Sequence, residues 1–248
     1  MMKSQYIYGL HAVEAILKNT PQKVRHLFLQ RGRYDQRMRK ILQLAHENDI
    51  KPEIISRRKL DELLPECQHQ SVAAIIVGSV IYQETDLVGL LDSLEHLPFL
   101  LILDGVQDPH NLGACLRSAN AAGINAVIAP KNNAVGLTPV VRKVACGAAE
   151  TTPYIQVTNL VRTMRMLKDR GIWLYGADAD VKTRIYEVNL TGPIGLILGG
   201  EEKGLRRLTQ EHCDGLMNIP MLGTISSLNI SVAAGICLFE VIRQRFYG

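Results

Sequence analysis

The chain has 248 residues, 47% of them apolar and 21% charged, with a net charge of +4, enough for one large or two modest domains whose cores need no disulfide staples. No apolar run reaches the roughly 18 residues of a membrane span, and the N-terminus MMKSQYIYGLHAVEA lacks a signal-peptide core. Cys67, Cys115, Cys146, Cys213 and Cys237 are odd in number, far apart and without a CxxC pair, which favours buried free thiols in a reducing cytoplasm over a disulfide or metal framework.

Charge is unevenly spread. Residues 1–60 carry 13 Lys and Arg against 5 Asp and Glu, whereas residues 61–97 carry 7 acids and no Lys or Arg. A basic N-terminal module points to a polyanion, because Lys and Arg that neutralise phosphates give nucleic-acid affinity without regard to sequence. A solvated charged face is an equally good account of the charge alone.

In chain order, the periodicity predicts a helix over 10–18, a strand VRHLFLQ (24–30), a helix over 35–48, a strand KPEIIS (51–56), a short helix near 59–64 and a strand VAAIIVG (72–78). This is a small α/β module, residues 1–78. Residues 79–97 are acidic and read as a connection. From 98 to 248 the runs PFLLILDG, NAVIAP, IWLYGA, IGLILGG and GLMNIP read as strands buried on both faces. Helical patterns near 112–122, 139–148, 160–170, 205–212 and 230–245 separate or follow them, so a mostly parallel sheet covered on both sides is the economical fold.

Three polar islands interrupt the second half: DPHNLGACLRSANAAG (108–123), LGGEEKGLRR (198–207) and IPMLGTISSLNISVA (219–233). Each begins where an apolar run ends, the place at which parallel α/β domains put ligand loops. In the first, Asn111 is either a helix N-cap or a functional amide. Gly113, Ala114, Ala119, Ala121 and Ala122 leave room for close approach of another element, and Arg117 is either a surface residue or an anion ligand suited to phosphate. In the second, Gly199 and Gly200 open the backbone at a strand end and Gly204 closes the turn. Neither GxGxxG nor GxxxxGK[ST] is present, which argues against an ordinary dinucleotide or nucleoside-triphosphate site. Glu201 and Glu202 are either functional carboxylates or first-turn acids. In the third, Asn229 or Ser231 caps the last helix, or the loop forms a pocket with Ile219, Met221 and Leu228 as walls for a flat ring.

In combination, NLGACLRSANAAG, LGGEEKG and IPMLGTISSLNISVA resemble, in order and spacing, the three motifs of the SpoU (TrmH-like) RNA ribose 2'-O-methyltransferases of the SPOUT superfamily. YGLHAVEAIL, HQSVAA (69–74) and LDGVQDPHNLGACLRSA look like the branch that methylates guanosine in bacterial 23S rRNA. The resemblance implies an α/β SPOUT domain over 98–248 with a deep trefoil knot, preceded by an L30e-like RNA-binding domain over 1–78. It implies S-adenosylmethionine bound in the knot and leaving as S-adenosylhomocysteine. It also implies a homodimer whose sites borrow from each other, 23S rRNA as partner with the peptidyl-transferase P loop as target, and neither DNA nor membrane. By position Arg117, Asn111, Glu201, Ser227 and Asn229 match the family's functional residues, and Gly199, Ile219 and Leu228 its cofactor contacts. Two departures are HQS where HQG is usual, and Glu202 where a second glycine often stands.

The implied reaction is in-line attack of a ribose 2'-hydroxyl on a sulfonium methyl, which needs alignment and loss of a proton. Arginine is nearly always protonated, so Arg117 is expected to grip the neighbouring phosphate and stabilise alkoxide charge; base action would require a strongly depressed pKa. Asn111 would orient the ribose, Glu201 would hold the loop and RNA, and Ser227 and Asn229 would shape the pocket. His11, His26, His46, His69, His96, His110 and His212 show no ligand spacing, so no metal is expected. The rival readings are a tRNA or other rRNA 2'-O-methyltransferase, and a non-catalytic RNA-binding or assembly factor.

Overall fold

The computed structural model describes residues 4–65, 69–77, 82–200 and 204–248. Contacts divide the chain into two compact units, one of residues 1–81 with 142–151, the other of residues 82–141 with 152–248.

The first unit runs β1 (Ser4–Tyr8), α1 (Leu10–Asn19), β2 (Val24–Gln30), α2 (Gln36–Glu47), β3 (Glu53–Ile55), α3 (Arg57–Leu63) and β4 (Val72–Val77). Its four-stranded sheet has the order β1-β4-β2-β3, with β4 antiparallel to both neighbours and β2 parallel to β3. Alternation along VRHLFLQ explains the layering: Leu27 and Leu29 join the core that takes Met38 and Ile41 of α2, while Phe28 points to the opposite core with Leu60 of α3. Asp35 caps α2 by accepting from Met38 N, and Ser56 caps α3 by accepting from Lys59 N.

The rest of the chain runs α4 (Asp86–Asp92), β5 (Phe99–Asp104), α5 (Pro109–Ala121), β6 (Ala126–Pro130), α6 (Pro139–Ala145), α7 (Ala148–Thr151), β7 (Tyr154–Val157), α8 (Leu160–Asp169), β8 (Trp173–Ala177), β9 (Ile194–Gly199), α9 (Arg207–His212), β10 (Gly215–Met217) and α10 (Ile230–Tyr247). In this series α6 ends, and α7 lies, within the segment that clusters with the first unit. The sheet order is β10-β8-β9-β5-β6-β7, parallel throughout. Every residue of β5 and β6 is buried, as the unbroken apolar runs anticipate. Helix α4, inside the acidic stretch read as a connection, buries Leu87 and Leu91 in the second unit's core. Among the described residues no helix is long and apolar enough to cross a membrane.

Three local outcomes differ from the sequence reading. Strand β7 was not anticipated: YIQV is only four residues long and carries Gln156 between buried neighbours, which weakens the apolar run. The helix expected over 139–148 breaks into α6 and α7 because Cys146 and Gly147 adopt φ of +52° and +94°, outside any right-handed helix. Strand β1 lies N-terminal to the expected start of structure, pairing with β4 from Ser4↔Val77 to Tyr8↔Ala73.

Candidate active site

The three islands all emerge at the C-terminal end of the parallel sheet, where a helix must follow each strand and the intervening backbone is left to bind ligands. A cavity of about 610 Å³ opens there. It is bounded by residues 177–180 after β8, by Leu198 to Gly200 with Gly204 and Leu205 after β9, and by Ile219, Met221 and Ser226 to Ile230 between β10 and α10.

The loop after β9 is held from two sides. Gly200 N donates to the Asp104 carbonyl at 3.1 Å, and Gly204 N donates to the Gly200 carbonyl at 3.1 Å. A Cβ on Gly199 would come within 1.9 Å of the Gly204 carbonyl carbon, and one on Gly200 within 2.8 Å of the Gly105 oxygen, so these positions need glycine for close backbone approach. Gly204 closes the turn with φ of +61°. At the far end, the wholly buried Asp104 carboxylate accepts from Arg206 N at 3.0 Å, and Arg206 Nε lies 2.9 Å from its other oxygen, out of hydrogen-bond alignment. One aspartate at the end of the central strand thus ties down both stems of the loop.

The loop after β8 is built around Asp178. Its carboxylate accepts from Asp180 N at 2.9 Å and from Gln210 Nε2 of α9 at 2.8 Å. The described lining contains Asp178 and Asp180 and no Lys or Arg, so the cavity favours a ligand with net positive charge.

The structure brings Gly199, Ile219, Leu228, Ser227 and Asn229 together in the cavity lining. Asn229 does two jobs. Its Oδ1 caps α10 by accepting from Ser231 N at 2.9 Å, and its Nδ2 donates to Asn111 Oδ1 at 3.0 Å. Asn111 is therefore not the cap of α5; Asp108 is, accepting from His110 N, and Asn111 lies inside the first turn facing the third island. The small residues of α5 do admit a second helix, since α5 packs on α10 and a Cβ on Gly235 would sit 3.9 Å from Ser118 Oγ. Arg117 is exposed on α5 and does not line the cavity. Glu201 and Glu202 lie outside the described residues.

Sequence reasoning missed Asp104, Asp178, Asp180 and Gln210. The first three had a signal: each is an acid at or just past the end of an apolar run, in LLILD and in IWLYGADAD. Gln210 had none, because only the packing of α9 brings it to the β8 loop.

Comparison with known proteins agrees with this layout. The SpoU rRNA Methylase family matches residues 98–239, and the family described as RNA 2'-O ribose methyltransferase substrate binding matches residues 6–79. The chain is 52% identical to the 23S rRNA (guanosine-2'-O-)-methyltransferase RlmB of Shewanella oneidensis, with 99% of each chain covered. To the RlmB of Escherichia coli K12 it is 49% identical, covering 98% of this chain and 99% of that protein. Among solved structures, the SpoU methyltransferase AviRb from Streptomyces viridochromogenes in complex with AdoMet superposes with a TM-score of 0.78 at 24% identity, covering 99% of this chain and 92% of that one.

Proposed function

The chain belongs to the SpoU rRNA Methylase family, and on that premise we propose that it methylates a guanosine ribose 2'-hydroxyl in 23S rRNA, in the peptidyl-transferase P loop, with S-adenosylmethionine as methyl donor. The observation that carries this reading is likeness over the full length, through both units, to proteins named for that reaction. The match of residues 6–79 to a family described as RNA 2'-O ribose methyltransferase substrate binding supports an RNA substrate over a small-molecule one. Such an enzyme works in the cytoplasm, where the ribosome is assembled.

The cavity fits the donor. Its volume is in the range of small-molecule sites; Ile219, Met221 and Leu228 suit the faces of a flat ring, and Asp178 and Asp180 suit a cationic ligand. S-adenosylmethionine, when bound, supplies a methyl group made electrophilic by positively charged sulfur. The protein's task is then alignment and charge. Asn229, fixed by its own cap, holds Asn111, and the pair orients the ribose hydroxyl. Ser227 shapes the boundary between donor and nucleotide, Gly199, Ile219 and Leu228 contact the donor, and Glu201 is assigned to holding the RNA. Arg117 grips the phosphate next to the target ribose and stabilises negative charge developing on the 2'-oxygen as its proton passes to solvent water.

Arg117 lies outside the cavity of its own chain, which supports a homodimer in which it serves the second copy's site. Helix α10 offers the matching face: Val232, Phe239 and Phe246 are each at least half exposed and recur every seven residues, hence on one side of the helix. The same reading carries the deep trefoil knot, supported by the crowding of the loops after β8, β9 and β10 around one cavity.

The test is methyl transfer from labelled donor to 23S rRNA, as naked RNA and as precursor particles, taken from cells lacking the gene. A single new 2'-O-methylguanosine is expected, and an unchanged methylation map overturns the reading. Arg117→Ala and Arg117→Lys are each expected to lose most of the rate; near-wild-type turnover in either removes the role given to Arg117.

A further inference from the structure

The first unit contains a surface that the chemistry above does not use. Strands β2 and β3 run parallel and end together, Gln30 beside Ile55, so the loops that follow emerge side by side. Arg31 N donates to the Ile55 carbonyl at 2.8 Å and Gln30 N to the Ser71 carbonyl at 3.0 Å, which stitches the 31–34 loop, the start of α3 and the 69–71 turn into one rim.

Gln70 braces this rim. Its side-chain oxygen accepts from Leu10 N at 3.1 Å, and its carbonyl accepts from Arg33 Nη1 at 2.7 Å. Gln70 and Ser71 both hold positive φ, +49° and +68°, a conformation that side-chain-bearing residues keep only where surroundings enforce it. Ser71 Oγ donates to Gln30 Oε1 at 2.8 Å, Ser71 N donates to His69 Nδ1 at 3.0 Å, and His69 Nε2 lies 2.8 Å from Asp61.

On this rigid frame stand exposed cations and one exposed ring. Tyr34 is 69% exposed. The side chains of Arg57 and Arg58 are 76% and 90% exposed, each near an acid one turn along α3, Asp61 at 3.9 Å and Glu62 at 3.0 Å. Arg33 is paired with Asp35. Arg31, by contrast, has no carboxylate within ion-pair distance among the described residues.

Resting on the function proposed above, we infer that this rim is where the first unit grips its RNA, with phosphates on Arg31 and Arg57 and an unpaired base stacked on Tyr34. The occupant is a single-stranded or loop segment rather than a regular duplex, because a lone protruding tyrosine beside arginines offers a π-face and a charge fork to a splayed nucleotide and nothing that spans a groove. The excess of 13 basic over 5 acidic side chains in residues 1–60 supplies the long-range attraction. Gln70 acts as a positioning residue, its carbonyl holding Arg33 of the 31–34 loop while its side chain is fixed on Leu10 N.

The experiment uses the full chain and a 23S rRNA transcript spanning the methylated loop, with affinity measured across a salt series and S-adenosylmethionine titrated in parallel. Tyr34→Ala is expected to weaken RNA binding about tenfold, while Tyr34→Phe stays within about twofold. Arg31→Ala is expected to weaken binding and flatten the log-log salt slope by about 0.7 to 0.9, with Arg31→Lys restoring the slope. Donor affinity should be unchanged in all four. Wild-type RNA affinity and salt slope in Tyr34→Ala and Arg31→Ala would overturn the rim, leaving the methyltransferase reading intact. A wild-type protein that neither binds nor methylates the transcript or precursor particles from cells lacking the gene would overturn that reading, and the rim with it.

Discussion

In the second unit, strands β8, β9 and β10 end in glycines and short polar residues packed around a cavity whose described lining includes no Lys or Arg. In the first unit, β2 and β3 end in arginines and a tyrosine that stand in solvent. The same geometric opportunity, loops at the ends of adjacent parallel strands, is used in opposite ways. A pocket built from close-packed loops sets distances tightly and strengthens electrostatic contacts relative to open solvent, as methyl transfer requires. Exposed guanidinium groups act over longer range and tolerate many sequences, at the expense of being screened by salt. On the functions proposed above, chemistry and recognition are placed on different frames, one fixed by close packing and the other by hydrogen-bonded bracing.

The largest test of this contrast is Gly199→Ala. The added methyl would collide with the Gly204 backbone, so calorimetry should show donor binding lost. Stability should fall by at least about 2 kcal/mol, as for overpacking without room to relax. Retained donor binding would show that the loop after β9 is soft, and the contrast between a packed and a braced frame would fail.

Asn229 offers a finer cut, because its two roles can be separated. Asn229→Ala removes the cap of α10 and should cost about 1 kcal/mol together with activity. Asn229→Asp keeps an acceptor for Ser231 N but loses the amide that donates to Asn111. It is expected to unfold close to wild type in denaturant while kcat drops at least tenfold; wild-type kcat in Asn229→Asp would make Asn229 only a cap.

In the braced frame, Ser71 is the sensitive point. Ser71→Ala keeps the positive φ and loses the bond to Gln30, so it should cost about 1 kcal/mol. Ser71→Gly loses the same bond but relieves the backbone, an offset of similar size. Urea melts should therefore rank glycine above alanine by about 1 kcal/mol, and the reverse order would remove the claim of strain.

The smallest effect is acid stability at Glu84. Hydrogen bonds from the Thr158 hydroxyl and amide, then Arg162, hold its carboxyl down at about 2 instead of the usual 4.5. A depressed carboxylate contributes stability that is complete above about pH 4.5 and is lost as pH falls towards 2. Glu84→Gln should be slightly less stable at neutral pH and show a shallower decline across that window; parallel pH curves would exclude this tether of the segment preceding α4.

Much of this was legible in the order of residues. Unbroken apolar runs announced β5 and β9, VRHLFLQ announced β2 as a strand, and polar islands at strand ends located Gly199, Ile219, Leu228, Ser227 and Asn229. These are local signals, because burial on one or both faces dictates side-chain type residue by residue. The departure HQS was also visible, and Ser71 indeed occupies a turn that glycine would enter freely.

What only the tertiary structure decided are pairings between residues far apart in the chain. Asn229 meets Asn111 across 118 positions, Arg206 meets Asp104 across 102, and Gln70 reaches Leu10 across 60. Asp108 rather than Asn111 became the cap of α5 because capping depends on where the helix begins, within a residue, which periodicity does not resolve. A sequence specifies which faces must be buried; which polar groups then meet depends on strand order and loop path, and those emerge only when the sheet is assembled.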